Sequence, residues 1–151
     1  MVKEKKAFTL IELLVVIAII GLLTSIIFVN VGPSRKKARD AQRQSTVQQV
    51  SLAMELCYNE DCGAGKDKYI DTAEEEATGD IIGSYFTVPT DPVDSGDHKY
   101  QWTDGGEQYY CFYVKLEAKA DTWFCASNKG VSEKVYAGPP TNDNCCGMDV
   151  D

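Results

Sequence analysis

Phe8-Thr9-Leu10-Ile11-Glu12-Leu13-Leu14-Val15-Val16-Ile17-Ala18-Ile19-Ile20-Gly21 decides how this chain is read. The stretch opens an apolar segment. No charged residue occurs from Leu13 to Ser34, a run of 22 positions. At ~1.5 Å per helical residue such a run covers ~33 Å, enough to cross a bilayer core. One residue is out of place. A carboxylate in hydrocarbon is costly unless it is paired or lies near the interface. Glu12 therefore asks for a cationic partner, which a plain membrane anchor does not need.

The rest of the chain is very different. Of 151 residues, 15 are Lys or Arg and 23 are Asp or Glu, for a formal net charge of -8. The mean hydropathy of -0.26 is that of a soluble protein and hides the asymmetry. The strong aliphatic residues crowd the first 31 positions, and nearly all the acids follow Met54. This composition excludes a multi-pass membrane protein, a coiled coil, a disordered chain and a large multidomain enzyme. Its acidic balance argues against nucleic acid as a partner.

A secretory signal peptide fits the segment poorly. The run is longer than the ~7–15 residues of an ordinary h-region, and no small-x-small site follows it cleanly. Lys3, Lys5 and Lys6 precede it and Arg35, Lys36, Lys37 and Arg39 follow it. That near balance does not fix an orientation by the positive-inside rule.

Lys5-Lys6-Ala7-Phe8-Thr9-Leu10-Ile11-Glu12 and the apolar run to Gly21 resemble the N-terminus of type IV prepilins and type II secretion pseudopilins. Ala7 stands where that family usually has Gly, and is also small. The resemblance implies cleavage by a prepilin peptidase between Ala7 and Phe8, on the cytoplasmic side of the bacterial inner membrane. It implies N-methylation of Phe8 and polymerisation through the apolar helix. Glu12 would then meet the Phe8 ammonium of a neighbouring subunit, because desolvated opposite charges attract strongly and each is costly alone. Only a one-step stagger satisfies both charges. The implied partners are further copies or other pilins in a helical polymer, the inner-membrane assembly machinery, and lipid before assembly. The destination is an extracellular pilus or a periplasmic pseudopilus. Losing the leader (three Lys and one Glu) takes the formal charge from -8 to -10.

The expected organisation is a leader over 1–7, an apolar helix over 8–31, its amphipathic continuation over 32–58 and an extracytoplasmic domain over 59–151. Arg35 to Tyr58 is rich in helix formers. Val47, Val50, Met54 and Cys57, with Ala53 and Leu56 beside them, form an apolar stripe that should pack on a sheet. Gly32-Pro33 predicts a kink or local unwinding. The basic cluster Arg35, Lys36, Lys37, Arg39 and Arg43 reads as a headgroup-level patch. Ala38-Arg39-Asp40-Ala41 and Ala53-Met54-Glu55-Leu56-Cys57-Tyr58 also resemble the post-membrane helix of pilins. The fold class is thus α+β: a long N-terminal helix on a small antiparallel sheet, stabilised by disulfides.

Asp71 to Ala77 predicts a short helix. His98 to Thr103, Gln108 to Leu116 and Thr122 to Ala126 predict a three-stranded meander, with Asp104-Gly105-Gly106 as a hairpin turn. Alternation puts Tyr110, Phe112, Val114 and Leu116 on one face and Tyr109, Cys111, Tyr113 and Lys115 on the other. The even set Cys57, Cys62, Cys111, Cys125, Cys145 and Cys146 predicts disulfides outside the cytoplasm. Cys111 and Cys125 lie on neighbouring predicted strands and are expected to pair. Cys57 and Cys62 then either cross-pair with Cys145 and Cys146, clamping the tail to the helix end, or close locally. The spacing is not that of a zinc site.

Related secretion pseudopilins can bind calcium in a loop of this domain, and Asp91, Asp94 and Asp97 are the residues that would hold it. No other cofactor is called for. No phosphate loop, catalytic triad or nucleophile elbow is present, and His98 stands alone, so a structural subunit is expected rather than an enzyme. The alternative is a minor pilin or tethered binding module that contacts a surface, DNA or a secreted substrate.

Overall fold

A computed structural model describes residues 8–62, 64–70, 76–103, 106, 108–141 and 144–147, with the backbone alone at 26–30. Leader residues 1–7, including Ala7, lie outside the described residues, as do 71–75, where a short helix is expected, and Asp104-Gly105 of the expected turn. The chain divides into two compact units, 1–35 and 36–151. One helix, α1 (Leu10–Glu60, 51 residues), contributes to both.

In the first unit α1 carries large aliphatic side chains on every side from Leu13 to Leu23. Of the expected kink or local unwinding at Gly32-Pro33, unwinding does not occur, since the helix continues through Pro33. Proline removes one N–H bond, and the Ala-, Arg- and Gln-rich sequence that follows is strongly helix-forming. Among the described residues no helix is long and apolar enough to cross a membrane. In sequence the run without a charged residue extends from Leu13 to Ser34.

The second unit holds the core. On α1, Val47, Val50, Met54 and Cys57 are fully buried, at the spacing of one helix face. Leu56, expected beside them, turns outward and is 39% exposed. The sheet beneath is an antiparallel meander of four strands, not three. These are β3 (Gln101–Thr103), β4 (Cys111–Lys115), β5 (Thr122–Ser127) and β6 (Gly130–Val135) in consecutive order. A separate hairpin, β1 (Ile81–Ile82) with β2 (Phe86–Thr87), precedes it. Strand β6 escapes the sequence reading because nearly all of it is exposed and its side chains do not alternate by polarity.

The alternation across β4 is as expected. Tyr110, Phe112 and Val114 join Tyr100, Trp102, Ala126 and the helix stripe in one apolar cluster. Phe112 packs on Trp102 and Tyr100, with centroids 4.6 Å and 5.7 Å away. Cys111 and Tyr113 face the other way and join Trp123, Cys125 and Cys145 in a second cluster. Each fully buried large apolar side chain stabilises the fold by ~1.5–3 kcal/mol. Both faces of the sheet are therefore used, one against α1 and one under the C-terminal tail, where Cys145–Gly147 forms a 3-10 turn.

Of the two readings left open for Cys57 and Cys62, local closure is the one observed, while the other four cysteines pair differently from the expectation. Cys57 bonds Cys62, Cys111 bonds Cys145 and Cys125 bonds Cys146. The expected Cys111–Cys125 bridge is absent because the β4–β5 register sets Cys111 opposite Ser127 and Cys125 opposite Tyr113. The two cysteines are diagonal neighbours, and such pairs sit ~7–8 Å apart, beyond ordinary disulfide reach. The tail is clamped to the strands rather than to the helix end, and Cys57–Cys62 closes locally. Gly83, in the β1–β2 turn, has φ +55°, and a Cβ there would lie 2.5 Å from the Cys62 sulfur and 2.7 Å from that of Cys57. Only glycine lets the hairpin lie on that bridge.

Candidate functional site

The N-terminal turn of α1 is built by Thr9 and Glu12. The Thr9 backbone N–H donates to Glu12 Oε2 at 2.9 Å, and the Thr9 hydroxyl donates to the same oxygen at 2.7 Å. In return the Glu12 N–H donates to Thr9 Oγ1 at 3.3 Å. This is a capping box, Thr-x-x-Glu, in which side chains satisfy backbone donors that the first helical turn leaves open. The pattern was visible in the sequence, although the apolar setting draws attention to the charge instead. Both Thr9 donors land on Oε2, so the cap does not require Oε1.

Beyond the cap the helix surface is an unbroken apolar face. Phe8 and the large aliphatic side chains from Leu10 to Leu23 are all exposed, from 47% at Val16 to 84% at Phe8. Two polar residues in this stretch turn inward on their own backbone. The Thr24 hydroxyl donates to the Ile20 carbonyl at 2.6 Å and the Ser25 hydroxyl to the Leu22 carbonyl at 2.7 Å. Such self-satisfaction suits a surroundings that offers no water. Contiguous apolar exposure on this scale marks an association or membrane surface.

A second constellation lies in the other unit. Arg43 is fully buried. Its Nε and Nη2 grip Asp91 at 2.6 Å and 2.7 Å, and its Nη1 reaches Asp40 at 2.9 Å and Glu117 at 2.6 Å. Arg39 forks onto Glu117 at 2.8 Å and 2.6 Å. Asp40 in turn accepts the backbone N–H groups of Glu117 and Ala118, both at 2.8 Å. Burial alone would lower the Arg43 pKa, but the hydrogen bonds it donates to Asp91, Glu117 and Asp40 outweigh that and raise it, so Arg43 stays charged. The hydrogen bonds from Arg39, with help from Arg43, push the Glu117 pKa down to about 2. Two guanidinium groups thus tie α1 to the segment after β2 and to the β4–β5 connection.

This network corrects the reading of the basic cluster. Arg39 and Arg43 are spent inside the domain, not displayed at a headgroup surface. The spacing of Asp40 and Arg43 at i,i+3 hints at the pair, but nothing in the sequence points to Glu117. The network also bears on Asp91, Asp94 and Asp97. Both Asp91 oxygens bind Arg43, and Oδ1 also accepts the N–H groups of Val93 at 2.8 Å and Asp94 at 3.3 Å. Asp97 pairs with Lys115 at 2.9 Å, whose hydrogen bond lowers the Asp97 pKa. Among the described residues these three carboxylates do not gather. The group that does gather is Cys125, Cys145 and Cys146, with sulfurs within 4.8 Å of one another. Each of those sulfurs is half of a disulfide and offers no thiolate to a metal.

A family model for the prokaryotic N-terminal methylation motif matches residues 2–28. The chain carries a prepilin-type signal. The match covers Phe8, Thr9, Glu12 and the apolar face, which is to say the elements just described, and supports a pilin-like or pseudopilin-like protein. No curated protein and no solved structure matches the chain. The prepilin-type signal therefore speaks for the first unit, and the second unit stands on its own geometry.

Proposed function

We propose that this protein is a structural subunit of a type IV pilus or pseudopilus, inserted in the inner membrane before it polymerises. A prepilin peptidase cuts between Ala7 and Phe8 and the new Phe8 amino group is methylated. The apolar face of α1 then leaves lipid for equivalent faces of neighbouring subunits. The observation that carries this reading is the exposed apolar helix on which the Thr9, Thr24 and Ser25 hydroxyls are satisfied locally. Glu12 serves as the register device. It holds its own Thr9 through Oε2 and offers Oε1 to the Phe8 ammonium of the next subunit. The acidic, disulfide-bonded unit is displayed outward and does no chemistry.

The test is the intact mass of the protein from its native membrane, taken without reductant. Loss of Met1 to Ala7, one added methyl group and a deficit of two hydrogens per bridge are expected. A full-length, unmethylated mass would remove the proposal. Glu12→Gln keeps the shape of the side chain and discards its charge. It should abolish filaments in the sheared-cell fraction while leaving the protein in the membrane. Filaments at the wild-type level would disprove the charge pairing.

A further inference from the structure

Of the three bridges, only Cys57–Cys62 joins cysteines that are consecutive in sequence. The other two are interlaced: Cys111 skips Cys125 to reach Cys145, and Cys125 skips Cys145 to reach Cys146. A chain oxidised in the order of its cysteines, or by the shortest available loop, makes Cys111–Cys125 instead. That bridge closes a shorter loop than the native separations of 34 and 21 residues, and shorter loops close more readily.

The wrong bridge is also compatible with a sheet. In the native register Cys111 faces Ser127 and Tyr113 faces Cys125. Sliding β5 by two residues brings Cys111 opposite Cys125 and Phe112 opposite Phe124. Because side chains alternate with period two, a two-residue slip leaves each one on its own face. The hydrophobic pattern that rejects a one-residue slip does not reject this one. The slipped form strands Cys145 and Cys146 as neighbours, and a ring between adjacent cysteines is strained. It is a trap with one wrong bond and two thiols.

We propose that maturation of this chain depends on a thiol–disulfide isomerase acting on the cysteines of β4, β5 and the tail. A thiolate of the isomerase attacks the Cys111 sulfur of the Cys111–Cys125 bond. That bond breaks, a mixed disulfide forms with Cys111, and Cys125 leaves as a thiolate. The Cys145 thiolate then attacks the Cys111 sulfur, forms Cys111–Cys145 and expels the isomerase thiolate. One disulfide replaces another and no electron leaves the pair. Cys125 and Cys146 then give two electrons and two protons to a dithiol oxidase in its disulfide form, which becomes the dithiol. The native fold gathers these groups, since the sulfurs of Cys125, Cys145 and Cys146 lie within 4.8 Å of one another. Exchange is therefore local once β4 and β5 are in register.

The test starts from the reduced full-length chain in detergent micelles. It is oxidised by a dithiol oxidase with or without a reduced disulfide isomerase, alkylated, and mapped by non-reducing peptide mass analysis. Oxidase alone should give Cys57–Cys62 with Cys111–Cys125, and alkylated Cys145 and Cys146. Adding the isomerase should raise the native map severalfold. The double variant Cys111→Ser/Cys145→Ser removes the interlacing, leaving Cys57–Cys62 and Cys125–Cys146 as consecutive pairs. Its native yield should be the same with and without isomerase. Native pairing of the wild type by oxidase alone, at the yield reached with isomerase, would overturn the proposal. So would a double variant that still needs the isomerase.

Discussion

Val15, Val16 and Ile17 stand exposed on α1, and Val47, Val50 and Met54 stand fully buried on the same helix. The residue types are alike and so is the backbone. The difference lies in what the chain supplies around them. Past Lys36 the sequence provides aromatic strands, and the aliphatic stripe of the helix joins Tyr100, Trp102 and Phe112 in a core. Before Arg35 the large aliphatic side chains from Leu10 to Leu23 join no such cluster and stand exposed. Polar groups follow the same division. In the first unit Thr9, Thr24 and Ser25 are tied to residues three or four positions away, as Thr9 with Glu12 and Thr24 with Ile20. In the second several also reach far along the chain, as Arg43 to Asp91 and Asp40 to Glu117. Local bonds survive a change of surroundings, whereas long-range bonds require one fixed fold.

The largest effect should come from Arg43→Ala. It leaves the buried Asp91 carboxylate without its partner, and breaking a buried pair in this way costs ~3–5 kcal/mol. Thermal unfolding followed by near-ultraviolet circular dichroism of the detergent-solubilised chain should show a much lower midpoint. Ile17→Ser in the first unit should leave that midpoint in place, since an exposed side chain away from a special feature changes stability by less than ~0.5 kcal/mol. If Ile17→Ser lowered the midpoint as much as Arg43→Ala, the contrast between the two units would fail.

The disulfides should rank by the loop each closes. Cys111→Ser/Cys145→Ser opens a link between residues 34 apart and should cost ~4 kcal/mol in the chain-entropy account. Cys57→Ser/Cys62→Ser opens one between residues 5 apart and should cost ~2 kcal/mol. Denaturant titration of the two double variants gives the order. Equal costs would mean that the bridges act through packing in the folded state, not through the unfolded chain.

Acid should act on the second unit through Glu117. Its pKa is about 2 when folded, below the ordinary value of 4.5, chiefly because Arg39 and then Arg43 bind the carboxylate. The folded state therefore binds fewer protons there than the unfolded state between these values. The stabilisation is complete above about pH 4.5 and is lost as the pH falls toward 2. A plot of stability against pH should fall over that window, and Glu117→Gln should flatten it. An unchanged slope in the variant would shift the acid sensitivity to other carboxylates.

What was legible in the sequence follows the same contrast. The apolar run and Glu12 are local signals, and so are the helix stripe at Val47, Val50 and Met54 and the two faces of β4. Each depends on a period that holds over a few residues. The Arg43 network was not legible, because Asp40, Asp91 and Glu117 are brought together only by the fold. The disulfide pairing failed for a similar reason. Cys111 and Cys125 are rightly placed on adjacent strands, but a register offset of two residues decides whether they meet, and nothing in composition records that offset. The four-residue signature Thr9-Leu10-Ile11-Glu12 is the opposite case, a local signal overshadowed by the charge of its last member.

The smallest effect expected is at that signature. Thr9→Ala removes the hydroxyl that donates to Glu12 and accepts from its N–H, while the backbone N–H of residue 9 can still reach the carboxylate. Losing such a cap costs ~1 kcal/mol. Amide exchange in micelles should therefore speed up over Leu10 to Leu13 by about fivefold and stay unchanged in the second unit. Thr9→Ser keeps the hydroxyl and should restore the slow exchange. Glu12→Ala should speed the same amides at least as much, because it removes the oxygen on which both Thr9 donors converge. If Thr9→Ala left these amides as slow as in the wild type, Glu12 would have no work to do in the single subunit. Its carboxylate would then be reserved wholly for a neighbour, and the hydrogen bonds at Oε2 would give way on assembly instead of surviving it.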